Sequence, residues 1–138
     1  MRKILLIFVL SFYVFAEGPK TYGNAKITVT SIYDGDTFRG TITDYPKIIG
    51  ERIGIRIYGI DCPELKDKDS AVKAKALEAK QFTVAKLREA KVIELRDMLR
   101  DKYFRIVAKV FVDGKELGPM LIEKGLAKPY FGGTKEEW

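Results

Sequence analysis

The chain has 138 residues, enough for one domain with a single real core and too few for two. Hydrophobic residues make up 46% and charged residues 32%, and the net charge is +6, a modest excess that favours an anionic partner only weakly. The chain has no histidine and one cysteine, Cys62. An internal disulfide and a histidine-activated cysteine nucleophile are therefore excluded, and zinc, which favours nitrogen and sulfur ligands, is not expected.

Residues 1–16 read as a secretory signal peptide. Arg2-Lys3 forms a basic start, Ile4 to Phe15 is apolar apart from Ser11 and Tyr13, and Val14-Phe15-Ala16 offers a cleavage site. The apolar run is short for a bilayer span, which leaves an uncleaved N-terminal anchor as the alternative. Cleavage removes two positive and no negative charges, so +6 falls to +4. The mature protein is then expected to be secreted or periplasmic, monomeric and without stable membrane association. Residues 17–24 read as a flexible start and residues 25–138 as the functional domain.

Ala25 to Tyr33 reads as a strand, with Ile27, Val29, Ser31 and Tyr33 on one face. Asp34-Gly35 is a turn signal, and Thr37 to Thr43 returns as a second strand. Asp44 to Gly50 reads as a looser connection. Glu51 to Ile60 is the clearest strand: Ile53, Ile55 and Ile57 share one face, and Arg56 points to the other. Ser70 to Ala90 reads as a long helix, rich in Ala, Leu, Lys and Glu and free of Gly and Pro. Val72, Ala76, Ala79, Phe82, Leu87 and Ala90 gather on one side, while Leu77 and Val84 suggest burial on a second. Lys91 to Arg96 and Tyr103 to Val112 read as two further strands joined by residues 97–102. Asp113-Gly114 signals another hairpin, Pro119 to Lys124 a short helix, and Lys128 to Gly133 a loop. The expected fold is α+β: a five-stranded barrel of the oligonucleotide-binding type, with a long helix after strand 3 and a short helix after strand 5.

Asp36 and Asp61 end two acidic turns, Asp34-Gly35-Asp36-Thr37 and Asp61-Cys62-Pro63-Glu64. If the turns meet, two carboxylates converge, as a hard cation such as Ca2+ requires. Plain hairpin chemistry accounts for either turn taken alone. Arg56 and Arg105 carry planar forks suited to phosphate oxygens, and Glu64 can deprotonate a water. Each of the three also has an ordinary surface role open to it.

Taken in order, these motifs resemble the staphylococcal nuclease (thermonuclease) family from about Lys26 to Tyr130. The anchors are Asp34-Gly35-Asp36-Thr37, Arg56, Asp61-Cys62-Pro63-Glu64, Asp101-Lys102-Tyr103-Phe104-Arg105 and Gly125-Leu126-Ala127-Lys128. The resemblance implies Ca2+-dependent hydrolysis of DNA and RNA to 3′-phosphate products. It implies Asp36, Asp61 and the Cys62 carbonyl as calcium ligands, Glu64 as general base, and Arg56 and Arg105 as phosphate-binding arginines. Lys102, Tyr103 and Tyr130 would line the nucleotide pocket. Phe104 stands where the family commonly has glycine, the family's long last helix is expected to be shortened or absent, and Pro129 and Gly132-Gly133 alter the spacing of its tyrosines. The rival expectation is a module that keeps the barrel and binds nucleic acid or a partner without cutting.

Overall fold

Isoleucine at every second position makes one face of a strand apolar, and that face is where the core forms. Ile55 and Ile57 are buried at 0% and 1% exposure, whereas Arg56 between them lies on the opposite side. The computed structural model describes Gly18 and residues 20–138. The expected signal peptide, residues 1–16, lies outside the described residues.

Nine strands and three helices are present among the described residues. In chain order they are β1 (Ala25–Lys26), β2 (Thr28–Ile32), β3 (Thr37–Thr41), α1 (Lys47–Gly50), β4 (Ile53–Ile57), β5 (Ile60–Asp61) and α2 (Ser70–Glu89). There follow β6 (Ile93–Arg100), β7 (Arg105–Val112), β8 (Lys115–Glu116), α3 (Leu117–Glu123) and β9 (Lys128–Pro129). The count differs from the expected five strands and two helices, because β1, β5, β8 and β9 are two-residue pairings. Such pairings depend on a partner strand and carry no periodic pattern of their own. The five longer strands, the long helix after the third of them and the short helix near the end occur in the expected order.

The main sheet runs β1-β6-β7-β4-β3-β2, with β8 paired to β7. All its pairs are antiparallel except β4 with β7, the two strands that the α2 crossover allows to run parallel. Residues 25–26 pair with β6 and residues 28–32 with β3. The first extended segment thus touches both ends of the sheet, which curls around a core that includes Phe38, Ile55, Leu95, Val110, Leu117 and Leu121. No helix among the described residues is long and apolar enough to cross a membrane.

Four local readings are corrected. A bulge between Val29 and Ser31 breaks the alternation of β2. Ile32 therefore turns inward and Tyr33 is 71% exposed, not on the Ile27 face. β6 continues through residues 97–100, with an irregularity between Arg96 and Leu99 where Asp97 takes φ 52°. The connection before β4 contains α1, where a side chain on Gly50 would meet Ile42 O at 2.7 Å. Finally, α2 buries a single stripe, Ala76, Ala79, Thr83 and Leu87, while Leu77 is 48% exposed.

Candidate active site

The sheet brings three parts of the site to one end. Thr37 pairs with Arg56, so the turn before β3 lies beside the end of β4. Gly54 pairs with Arg105 at the start of β7, which sets Arg105 and Arg56 on the same face of neighbouring strands. A side chain at Gly54 would meet Arg105 Cβ at 3.1 Å, so the glycine leaves room for the arginine.

The Asp34–Asp36 turn is held from behind by α2. Thr83, fully buried, donates its hydroxyl to Gly35 O at 2.7 Å. A Cβ on Gly35 would lie 2.8 Å from Cys62 Sγ and 2.9 Å from Ala79 Cβ. The absence of a side chain there lets the two acidic turns meet. Asp36 Oδ2 accepts the Cys62 N–H at 2.7 Å, and Asp36 Oδ1 accepts the Thr37 hydroxyl at 3.0 Å.

Arg56 lies between the two aspartates. Its Nη1 is 2.6 Å from Asp36 Oδ2, and its Nη2 donates to Ile60 O at 3.0 Å and to Asp61 Oδ1 at 3.2 Å. The Nη1 contact is a buried, close ion pair. Arg105 is anchored differently. Asp101 accepts from its Nε, from its backbone N–H at 3.3 Å and from the Tyr103 N–H at 2.8 Å. One aspartate thus folds the turn and aims the arginine. Phe104 holds φ 53°, the left-handed conformation that favours glycine, and Arg105 still reaches the site.

Asp34, Asp36, Arg56, Asp61, Glu64 and Arg105 line one cleft of about 220 Å³, joined by Lys66 and Lys135. Asp36 and Asp61 are buried, whereas the Glu64 side chain is 49% exposed and meets Lys66 at 3.3 Å. Burial, and then the neighbouring Asp36, push the Asp34 carboxyl up to about 7. Burial first, and then the same aspartates, push the Cys62 thiol far above its ordinary range.

The donor set fits a hard cation in kind, since only oxygens are on offer. Among the described residues no group of three acidic or thiol side chains is placed to hold a metal. An ion here would rest on Asp36, Asp61, backbone oxygen and water. Arg56 lines the cleft beside that pair, and its planar guanidinium suits a phosphate oxygen.

The remaining expected residues border the cleft without lining it: the Arg105 guanidinium lies 5.3 Å from the Tyr103 ring and the Lys135 ammonium 5.6 Å from that of Tyr130. Lys102 and Tyr103 sit outside the cleft; Tyr103 is 66% exposed, with the Lys102 ammonium 5.1 Å from its ring. Tyr130 lines an adjoining pocket on the other side of Asp61. Sequence reading missed Thr83 and Lys135, since neither lies in a motif and each reaches the site only through the fold.

The sequence profile described as "Staphylococcal nuclease homologue" matches residues 54–137. A probable endonuclease of Schizosaccharomyces pombe is 34% identical over 127 residues, covering 75% of this chain and 55% of the relative. Another from Schizosaccharomyces japonicus is 32% identical over 129 residues, covering 77% and 55%. Endonuclease YncB of Bacillus subtilis is 30% identical over 105 residues, covering 75% and 47%. The chain spans about half the length of these curated relatives.

Proposed function

This chain belongs to the staphylococcal nuclease family, and from that premise we propose that it is a metal-assisted nuclease that hydrolyses phosphodiester bonds of DNA or RNA. One observation carries the reading: four carboxylates, Asp34, Asp36, Asp61 and the exposed Glu64, and two arginines face a single cleft. The relatives named as endonucleases support it. We assign Ca2+ as the cation, 3′-phosphate ends as the products, and a monomer exported by residues 1–16 as the working form.

Asp36 and Asp61, with the Cys62 carbonyl, would hold the cation. When bound, a hard divalent ion supplies Lewis-acid neutralisation of charge on a phosphate oxygen. Arg56 binds a second phosphate oxygen through its guanidinium, and Arg105 enters from β7 to stabilise charge near the leaving 5′-oxygen. Charge grows on these oxygens in the transition state, so arginines already fixed by Asp61 and Asp101 stabilise it more than the ground state. Glu64 is the one carboxylate of the cleft that faces solvent with only a lysine partner, which suits it to take a proton from an attacking water. Lys102, Tyr103 and Tyr130 would meet the flanking nucleotides.

The test is digestion of matched plasmid DNA and RNA with Ca2+, with chelator, and by a Glu64→Gln chain, followed by end-group analysis. Cleavage that needs Ca2+, leaves 3′-phosphates and falls at least about 100-fold in Glu64→Gln is expected. Activity indifferent to both chelator and substitution would sink the proposal. Binding of nucleic acid without any cleavage would instead mark a non-catalytic module.

A further inference from the structure

Lys135 lies in the segment after β9, which the motifs leave without a role. The segment is fastened on both sides of it. β9 pairs with β5 in the register Asp61↔Lys128, and the Tyr130 N–H donates to Gly59 O at 2.9 Å. Beyond Lys135, the Trp138 ring lies 4.7 Å from the Lys128 ammonium and 5.6 Å from that of Lys75. Between these fastenings Lys135 Nζ reaches Asp61 Oδ1 at 2.8 Å. That oxygen also accepts from Arg56 Nη2, so two cations share one atom of a carboxylate assigned to the metal. The Lys135 side chain is 47% exposed, against 9% for Asp61, and it lines the same cleft as Glu64 and Arg105.

We infer that Lys135 is a further functional residue of this cleft: a tethered cation that pairs with Asp61 until a divalent ion takes that carboxylate, and that then engages a substrate phosphate. The inference rests on the cation and nuclease reading above. A divalent charge beside Asp61 repels the ammonium from its partner. The flexible four-carbon stem lets Nζ swing into the cleft without moving the fastened backbone. A phosphodiester oxygen is the anion that it would meet there. The step is an exchange of ion pairs with no covalent change.

The test has two arms, both on the full chain. Ca2+ is titrated calorimetrically, without nucleic acid, into the wild type, Lys135→Gln and Lys135→Arg. Loss of the competing charge should tighten Ca2+ binding about two- to fivefold in Lys135→Gln, while Lys135→Arg stays near wild type. A damaged site would change the constant in the opposite sense, so an equal or weaker constant in Lys135→Gln overturns the inference. Absence of Ca2+ binding in every chain would overturn the cation reading itself, a different result. The second arm measures binding of a short oligothymidylate with Ca2+ present, in the Glu64→Gln background. Replacing Lys135 by glutamine should reduce the magnitude of the salt slope by about 0.7, one phosphate contact on a single strand. An unchanged slope overturns the phosphate role.

Discussion

Arg56 is the residue on which the site depends most. Its guanidinium meets both buried aspartates and a backbone carbonyl, and its side chain is only 11% exposed. Arg56→Met leaves Asp36 buried without its counter-charge and Asp61 with Lys135 alone, which should cost about 3 kcal/mol in denaturant unfolding. The same change should lower kcat/KM by at least about 100-fold if the arginine stabilises the transition state. A variant as stable and as active as wild type would show that the geometry is incidental. Phe104 gives the opposite sign. It pays the left-handed penalty at φ 53° with its ring 59% exposed, so Phe104→Gly should raise stability by about 1 kcal/mol. The place of Arg56 was legible from period-two alternation alone. That of Tyr33 was not, because a bulge shifts every later side chain of its strand and has no reliable mark in the residues.

Among the elements, α2 is the backing of the site, although its face was only partly readable. Apolar spacing pointed to Ala76, Ala79 and Leu87 but passed over Thr83, whose burial depends on a carbonyl 48 residues away. Thr83→Val keeps the shape and removes the hydroxyl, leaving Gly35 O without that donor. A loss of about 1–2 kcal/mol is expected, together with weaker Ca2+ binding as the Asp36 turn loosens. Unchanged unfolding and calcium affinity would refute that role. The Asp113-Gly114 turn does a similar service for the join between α2 and β6. Both residues have positive φ, and the Asp113 carboxylate accepts the N–H groups of Val92 and Lys91 at 2.9 and 3.0 Å. The Val92 amide first, and then that of Lys91, hold the Asp113 carboxyl below its ordinary 3.8. A carboxylate so depressed stabilises the fold above its unfolded value, and that contribution is lost as pH falls through the folded one. Asp113→Asn should therefore flatten the acid limb of a stability–pH curve below about pH 4 and leave its slope near neutrality alone. Identical acid limbs would contradict this assignment.

For the molecule as a whole, the order of long strands and helices could be read because each carries its own periodicity. The short pairings could not, neither that of β1 on the main sheet nor the separate one of β5 with β9, since these strands owe their existence to partners distant in the chain. The same limit hid the segment after β9, which reads as a loop yet carries Lys135 to Asp61. This arrangement would make the whole fold a reporter of the proposed cation. β5 bears Asp61 and pairs with β9, the turn bearing Asp36 is tied to α2, and Arg56 lies in the central sheet. An ion held by Asp36 and Asp61 would therefore join elements that must all be in place for it to bind, and the unfolded chain would offer no equivalent site. Binding to the folded state alone must raise its stability, by about 2.7 kcal/mol at a hundredfold excess over Kd. In a domain of this size the corresponding rise in Tm is on the order of 10 °C. Chelator should reverse the rise, and Asp61→Asn should abolish most of it while keeping the volume of the side chain. Equal Tm values with Ca2+ and with chelator, at saturating concentrations, would remove the cation from the site, and with it the reason for two buried carboxylates to face one cleft.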